Sequence, residues 1–331
     1  MKRFSKSTFF ILLTFIITVA ISFLTGYFEI IGIFKHDYLI YKDQYNQLSI
    51  PFKEEPLIYF LYRPFFWAGF PYSVYFYIQG FALFWIKFVK HTVATSKWYI
   101  LSLIIYSLLY LNTFELLRQR ASLSITLYIL ACVLVQSSLP KLKRNVYTVV
   151  LLVLSFFAHS TVLVFLIPVL FNIFLLYVPP RYYAGIFSVS TILRCILFVV
   201  LLLSSFQVVF GLDLLGSAIT LYQDSKYISY VYSWDNYTGV VSILTLIPFV
   251  LALSFFSAKL SRHNLFFLSS YVLISASLLC IKYNLVAIQF FSYGAVLYLF
   301  FLIREYSGSL NHLFFAPFYL LFATRLAFLL V

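Results

Sequence analysis

In the stretch FELLRQRASLS, residues 114–124, Glu115, Arg118 and Arg120 interrupt a tract, 98–138, that carries no other charge. Arginine offers a planar, permanently charged fork of donors that matches phosphate oxygens, and a pair of them suits a pyrophosphate. If the segment is one regular helix, residues 118 and 120 point about 200° apart, so at most one faces a bundle interior directly. A plainer alternative pairs Glu115 with Arg118 at i,i+3 and lets both reach the lipid headgroups. His159, in SFFAHSTVLVF, falls between two apolar runs. An imidazole titrates near neutrality, which suits a general base. The plainer alternative is a polar turn residue that hydrogen-bonds a free carbonyl. Arg63, in LYRPFF, is a further candidate phosphate contact. Arg194 and Arg325 lie deeper in apolar runs, where each can pair or snorkel. Asp37, Asp43, Glu54 and Glu55 supply carboxylates, which in most settings are simply solvated.

These groups must be positioned by a scaffold, and the composition limits what it can be. The chain is 63% hydrophobic and 10% charged, against roughly a quarter charged in soluble domains. Too few polar side chains exist to coat a water-soluble surface. Several apolar runs approach the roughly 20 residues that a helix needs to cross a bilayer. They lack the alternation of an outer-membrane barrel. The expected fold is an all-α polytopic membrane protein, a single domain over 1–331. The expected spans are 8–28, 72–88, 98–112, 120–138, 145–158, 161–178, 184–209, 239–257, 264–281, 285–303 and 313–331, about eleven with a range of ten to twelve. The first run follows MKRFSKS without a small-residue cleavage site and reads as an uncleaved span. Residues 57–70 are short and interrupted by Arg63, Pro64 and Gly69, so they read as interfacial or re-entrant.

The net charge of +13 has a topogenic explanation, because Lys and Arg accumulate in cytoplasmic loops. Nucleic acid is therefore not an expected partner. With the N-terminus inside, the inner loops hold Lys2, Arg3, Lys6, Lys87, Lys90, Lys97, the Lys141–Arg144 cluster and further basic residues against one acid, Glu305. The outer segments balance acids and bases. This places the Arg118 end of the fourth span on the outer side, with a turn expected near Asn112. There Asn112 and Glu115 have the spacing of a capping box. Two long outer segments, 35–56 and 211–238, mix carboxylates, amides and tyrosines. That mixture suits sugars, and equally an interfacial aromatic belt. Together these features imply an outward-facing cavity. Cys132, Cys195 and Cys280 sit in apolar runs with no metal or disulfide spacing. No phosphate loop, GxSxG, HExxH or CxxC motif occurs. No cofactor is expected, and no histidine-based metal site, although a carboxylate site stays open.

The order of features resembles a known group. A first span is followed by an outer D-x₃-Y element (Asp37, Tyr41) and EEP at 54–56, which includes Glu55. LLRQRASLSITLYILA follows at 116–131, then a basic KLKR loop, FFAHSTVLVFLIPVL at 156–170, and an outer KYISY at 226–230 that contains Tyr230. The chain resembles the EpsG-like family of exopolysaccharide and O-antigen polymerases, the Wzy-type enzymes. That resemblance implies a glycosyltransferase on the outer face of the bacterial cytoplasmic membrane. Such an enzyme joins oligosaccharide repeat units carried on polyprenyl pyrophosphate. The implied partners are that lipid-linked oligosaccharide and the bilayer, with room for a flippase and a chain-length regulator. Arg118 would bind the pyrophosphate and His159 would lie near the reacting hydroxyl or the lipid carrier. The family's later arginine is absent, with Gln289 in that region, so Arg120, Arg63 or Arg325 would have to substitute. A flippase for lipid-linked oligosaccharide also needs an outward cationic cavity. Such transporters often carry inverted repeats, and none is evident here. A membrane acyltransferase modifying glycans is a third reading.

Overall fold

The structure, a computed structural model, describes residues 2–24, 39, 41–46, 56–89, 97–116, 118–159, 167, 169–170, 189–210, 236–257, 265–281, 284–305 and 312–330. Among these residues the chain is all-helical, with no strand. Asp37, Glu55 and Tyr230 lie outside the described residues, as do most of the two long segments expected on the outer side and the expected span 161–178. The helices form two compact units, Met1–Leu163 and Val164–Val331.

In the first unit the helices are α1 (Lys2–Leu24), α2 (Pro56–Trp67), α3 (Tyr72–Val89), α4 (Lys97–Tyr106), α5 (Gln119–Val135) and α6 (Lys141–Ala158). A short helical stretch over 41–46 precedes α2. α2 continues through Pro64; what ends it is Gly69. There φ is 73°, a left-handed conformation that glycine adopts at little cost. Gly69 N–H donates to Phe66 O and Phe70 N–H to Phe65 O, both at 3.0 Å, the Schellman pattern that closes a helix. Pro71 O then accepts from Val74 N–H at 3.0 Å and starts α3. α1 packs on α3 through Phe15, whose ring lies 5.3 Å from Phe81 and 6.1 Å from Phe84. α4 packs on α3 through Tyr106, 5.1 Å from Phe88.

α5 and α6 form an antiparallel hairpin joined by a tight turn at Gln136–Pro140. Two serines hold it together. Ser155 Oγ donates to Ser124 O at 2.7 Å and Ser124 Oγ donates to Ser155 O at 3.1 Å. Small hydroxylated residues let the two backbones approach and satisfy each other's carbonyls.

α4 does not stop near Asn112. It continues as a π-helix, Ser107–Leu116, which corrects the expected capping box at Asn112–Glu115. The wider turn keeps Leu109, Tyr110, Leu111 and Leu116 buried against their neighbours, so burial outweighs the local cap signal. The chain leaves helical geometry at Arg118, with φ −109° and ψ 53°.

In the second unit the helices are α7 (Val189–Phe210), α8 (Asn236–Ser257), α9 (Leu265–Leu279), α10 (Asn284–Phe300) and α11 (Ala316–Leu330). α10 runs on as a π-helix over Phe301–Glu305, and a 3₁₀ turn, His312–Phe315, precedes α11. α9 and α10 pack closely at Gly294, where a Cβ would lie 2.8 Å from Ile274 Cγ1. Phe249 on α8 bridges to Phe291 and Phe318 at 5.1 and 5.3 Å. Arg325 falls in α11, with its side chain outside the described set. Arg194 is exposed on α7 and donates to Ser254 O at 3.1 Å. Ala287–Arg304 is the one described stretch that is long and apolar enough on its own to cross a membrane, alongside several shorter apolar helices.

Candidate functional site

The first unit brings three of the sequence candidates to one place. Arg118 caps the start of α5, Arg120 lies in its first turn, and His159 follows the last residue of α6. Because α5 and α6 are antiparallel, the start of one is beside the end of the other. Arg118 is non-helical, so the 200° separation expected for residues on one helix does not apply. Both guanidiniums bear on the His159 ring. Burial, then the positive fields of Arg120 and Arg118, lower its pKa from the usual 6.5 to about 3. His159 therefore sits neutral at the end of α6, in the break between two apolar runs. Its backbone N–H donates to Ser155 O at 3.2 Å, which closes the last turn of α6 without using the ring.

Arg118 is 8% exposed, and its carbonyl accepts from Ser122 N–H at 2.9 Å. Arg120 is held from the side. Its Nε donates to Tyr41 Oη at 2.7 Å, and its Cζ lies 4.5 Å from the Tyr41 ring centre. Tyr41, from the expected D-x₃-Y element, is thus a neighbour of the arginine pair. Two guanidiniums at the positive end of a helix dipole repel one another, and an anion placed among them is stabilised by all three.

Arg63 is placed differently from the expected phosphate contact. Its guanidinium lies over Tyr59, 4.2 Å from the ring centre, with Trp67 at 5.5 Å, and it donates to the Tyr59 hydroxyl. These partners are i−4 and i+4 on α2, so Arg63 is stacked on its own helix. The tyrosines nearby are also not an open platform for sugar. Tyr45, Tyr62, Tyr72 and Tyr75 form a buried cluster in which Tyr62 meets the other three edge to face, with Tyr62 and Tyr75 centred 4.7 Å apart. Tyr45 Oη donates to Phe70 O at 2.7 Å.

Two kinds of buried polar residue on α3 and α5 have contacts that the sequence reading did not assign. Lys87 was grouped with the inner basic loops. It is instead fully buried in α3, and its Nζ donates to Ser122 Oγ at 2.9 Å, one turn along α5 from Arg118. The signal available was its phase, four residues after Leu83 and seven after Gly80 on the buried face of α3. The second kind is a pair of amides. Gln119 Nε2 donates to Phe76 O across the α3–α5 interface at 2.9 Å, while its Oε1 has no partner among the described residues. Gln79, also buried, makes no hydrogen bond to a described residue through either amide atom. Leaving such a group unsatisfied costs about 1–3 kcal/mol.

No family model matches this chain, and no similar curated protein or solved structure is found.

Proposed function

We propose that the chain is a polytopic membrane glycosyltransferase, a polymerase that joins oligosaccharide repeat units carried on polyprenyl pyrophosphate. It would act on the outer face of the bacterial cytoplasmic membrane, in O-antigen, capsule or exopolysaccharide synthesis. The observation that carries the reading is the meeting of Arg118, Arg120 and His159 at the junction of α5 and α6.

A membrane setting accounts for the surface of the helices. α1 turns Phe9, Phe10, Ile16, Ile17 and Ile21 outward, and α6 does the same with Val146, Val149, Val150, Val153 and Phe157. Soluble monomers rarely leave contiguous apolar patches above a few hundred Å². α1, α7 and α8 have 23, 22 and 22 residues, a length on the scale of a hydrocarbon core about 30 Å thick, and each contains a shorter apolar stretch.

The chemistry asks little of the protein beyond charge and one proton acceptor. The acceptor hydroxyl oxygen forms a bond to the anomeric carbon, and the bond from that carbon to the diphosphate oxygen breaks. The electron pair leaves on the diphosphate, where Arg118 and Arg120 stabilise the developing charge. The hydroxyl proton passes to His159 or a nearby carboxylate. His159 is a weak base while the fields of the two guanidiniums act on it. A bound diphosphate offsets their field and raises the basicity of the ring at the moment it is needed.

Replacing Arg118 by Ala is expected to lower polymerisation by about a hundredfold or more, with the protein still inserted in the membrane. The polymer ladder on a gel reads the result, and a normal chain-length distribution would overturn the proposal. Purified protein mixed with lipid-linked repeats should lengthen them with no ion gradient, which a flippase would not do.

A further inference from the structure

Arg120 lies in the first turn of α5, where the positive end of the helix dipole and the charge of Arg118 both repel a cation. A long charged side chain in that setting swings outward to water or headgroups. Here it is held instead: Nε donates to Tyr41 Oη at 2.7 Å, and Cζ lies 4.5 Å from the Tyr41 ring centre. Tyr41 is itself fixed. It opens the helical stretch 41–46, in which Tyr41 and Tyr45 are buried while Lys42, Asp43 and Asn46 are exposed. Tyr45 follows one turn later on the same face. Its Oη donates to Phe70 O at 2.7 Å, and its ring centre lies 5.5 Å from those of Tyr62 and Tyr72. The turn between α2 and α3 is thus tied through Tyr45 to Tyr41, and through Tyr41 to Arg120.

Tyr41 is 5% exposed, and its hydroxyl accepts from the arginine. It therefore has little surface to offer a sugar, and it acts on a ligand through Arg120. The contact joins a charge-assisted hydrogen bond to a cation–π contact, and it opposes the repulsion from Arg118. A cation already in place stabilises developing charge with no reorganisation at the moment of reaction. We propose that Tyr41 is a positioning residue, anchored by Tyr45, that holds the Arg120 guanidinium at the α5–α6 junction to receive the carrier's diphosphate. The role deepens the proposed function and rests on it. It also differs from the direct substrate contact expected of Tyr41 from the sequence.

The test is a double-mutant cycle on purified full-length protein, with bare polyprenyl diphosphate as the probe and native mass spectrometry as the readout. Tyr41→Phe keeps the ring, loses the hydroxyl and should weaken binding about fivefold. Tyr41→Leu loses both contacts and should weaken it about tenfold or more. In an Arg120→Leu background, Tyr41→Phe should cost nothing further. A tyrosine that merely supports the fold, or that touches the diphosphate itself, would cost the same in both backgrounds. A second measurement needs no ligand. The NMR titration midpoint of His159 should rise in Tyr41→Leu, as in Arg120→Leu, because a released guanidinium moves away from the ring. Where Tyr41→Leu does not fold, Tyr41→Phe decides, with a smaller rise. Undiminished binding by the Tyr41 variants, an equal loss in both backgrounds, or an unmoved His159 midpoint overturns the positioning role and leaves the proposed function standing. Failure of wild type to bind the probe overturns both.

Discussion

Arg120 and Arg118 make His159 a reporter of their own charge. With a pKa near 3, the ring in the ligand-free protein should show no NMR titration between pH 8 and 5. Arg120→Leu removes the larger of the two positive fields and should move the midpoint upward; an unchanged titration would contradict the geometry. The same depression has a stability consequence. The unfolded ring binds its proton near 6.5 and the folded one only near 3. The contribution of the neutral ring is thus fully present above about pH 6.5 and is lost as pH falls toward 3. Denaturant midpoints should therefore decline over that window, less steeply in His159→Gln. At this scale the sequence was legible where charge broke an apolar tract, as at Arg118, Arg120 and His159. It was not legible at Lys87, because a lysine near the end of an apolar run looks the same whether it reaches water or turns back to Ser122. Gln79 was equally hidden, since one amide in a greasy run hardly alters hydropathy.

Among the elements, helix positions followed from apolar runs and punctuation. Gly69 marked a true helix end because the Schellman closure needs its left-handed φ. Asn112 gave a false one, because a cap motif is worth about 1 kcal/mol and the burial of Leu109, Tyr110, Leu111 and Leu116 is worth more. How the helices meet was not readable from hydropathy, since small residues decide it. Ser155→Val removes the hydroxyl that donates to Ser124 O, leaving that buried carbonyl without this bond, and should destabilise the α5–α6 hairpin by about 1–3 kcal/mol. In the second unit, Gly294→Leu puts a side chain where Ile274 Cγ1 already lies within 2.8 Å of the Cβ position. Overpacking of that kind costs roughly 1–3 kcal/mol. Both values can be read from unfolding in mixed micelles, and a wild-type midpoint in either variant would contradict the packing described for that pair.

For the molecule as a whole, the proposed orientation makes the α5–α6 turn cytoplasmic and the start of α3 external. With the native cysteines removed, a cysteine at Ser138 should react with an impermeant maleimide only after the cells are opened. One at Ser73 should react in intact cells. Both positions are exposed, so the reverse pattern would invert the topology. A wider consequence follows from α6. It shows Val146, Val149, Val150, Val153, Phe156 and Phe157 along one side and hands over to His159 at its tip. A tail-bearing molecule drifting in the bilayer could follow that greasy rail to the imidazole without entering water. Supply would then be a two-dimensional search, set by how much carrier the membrane holds and indifferent to what is dissolved on either side.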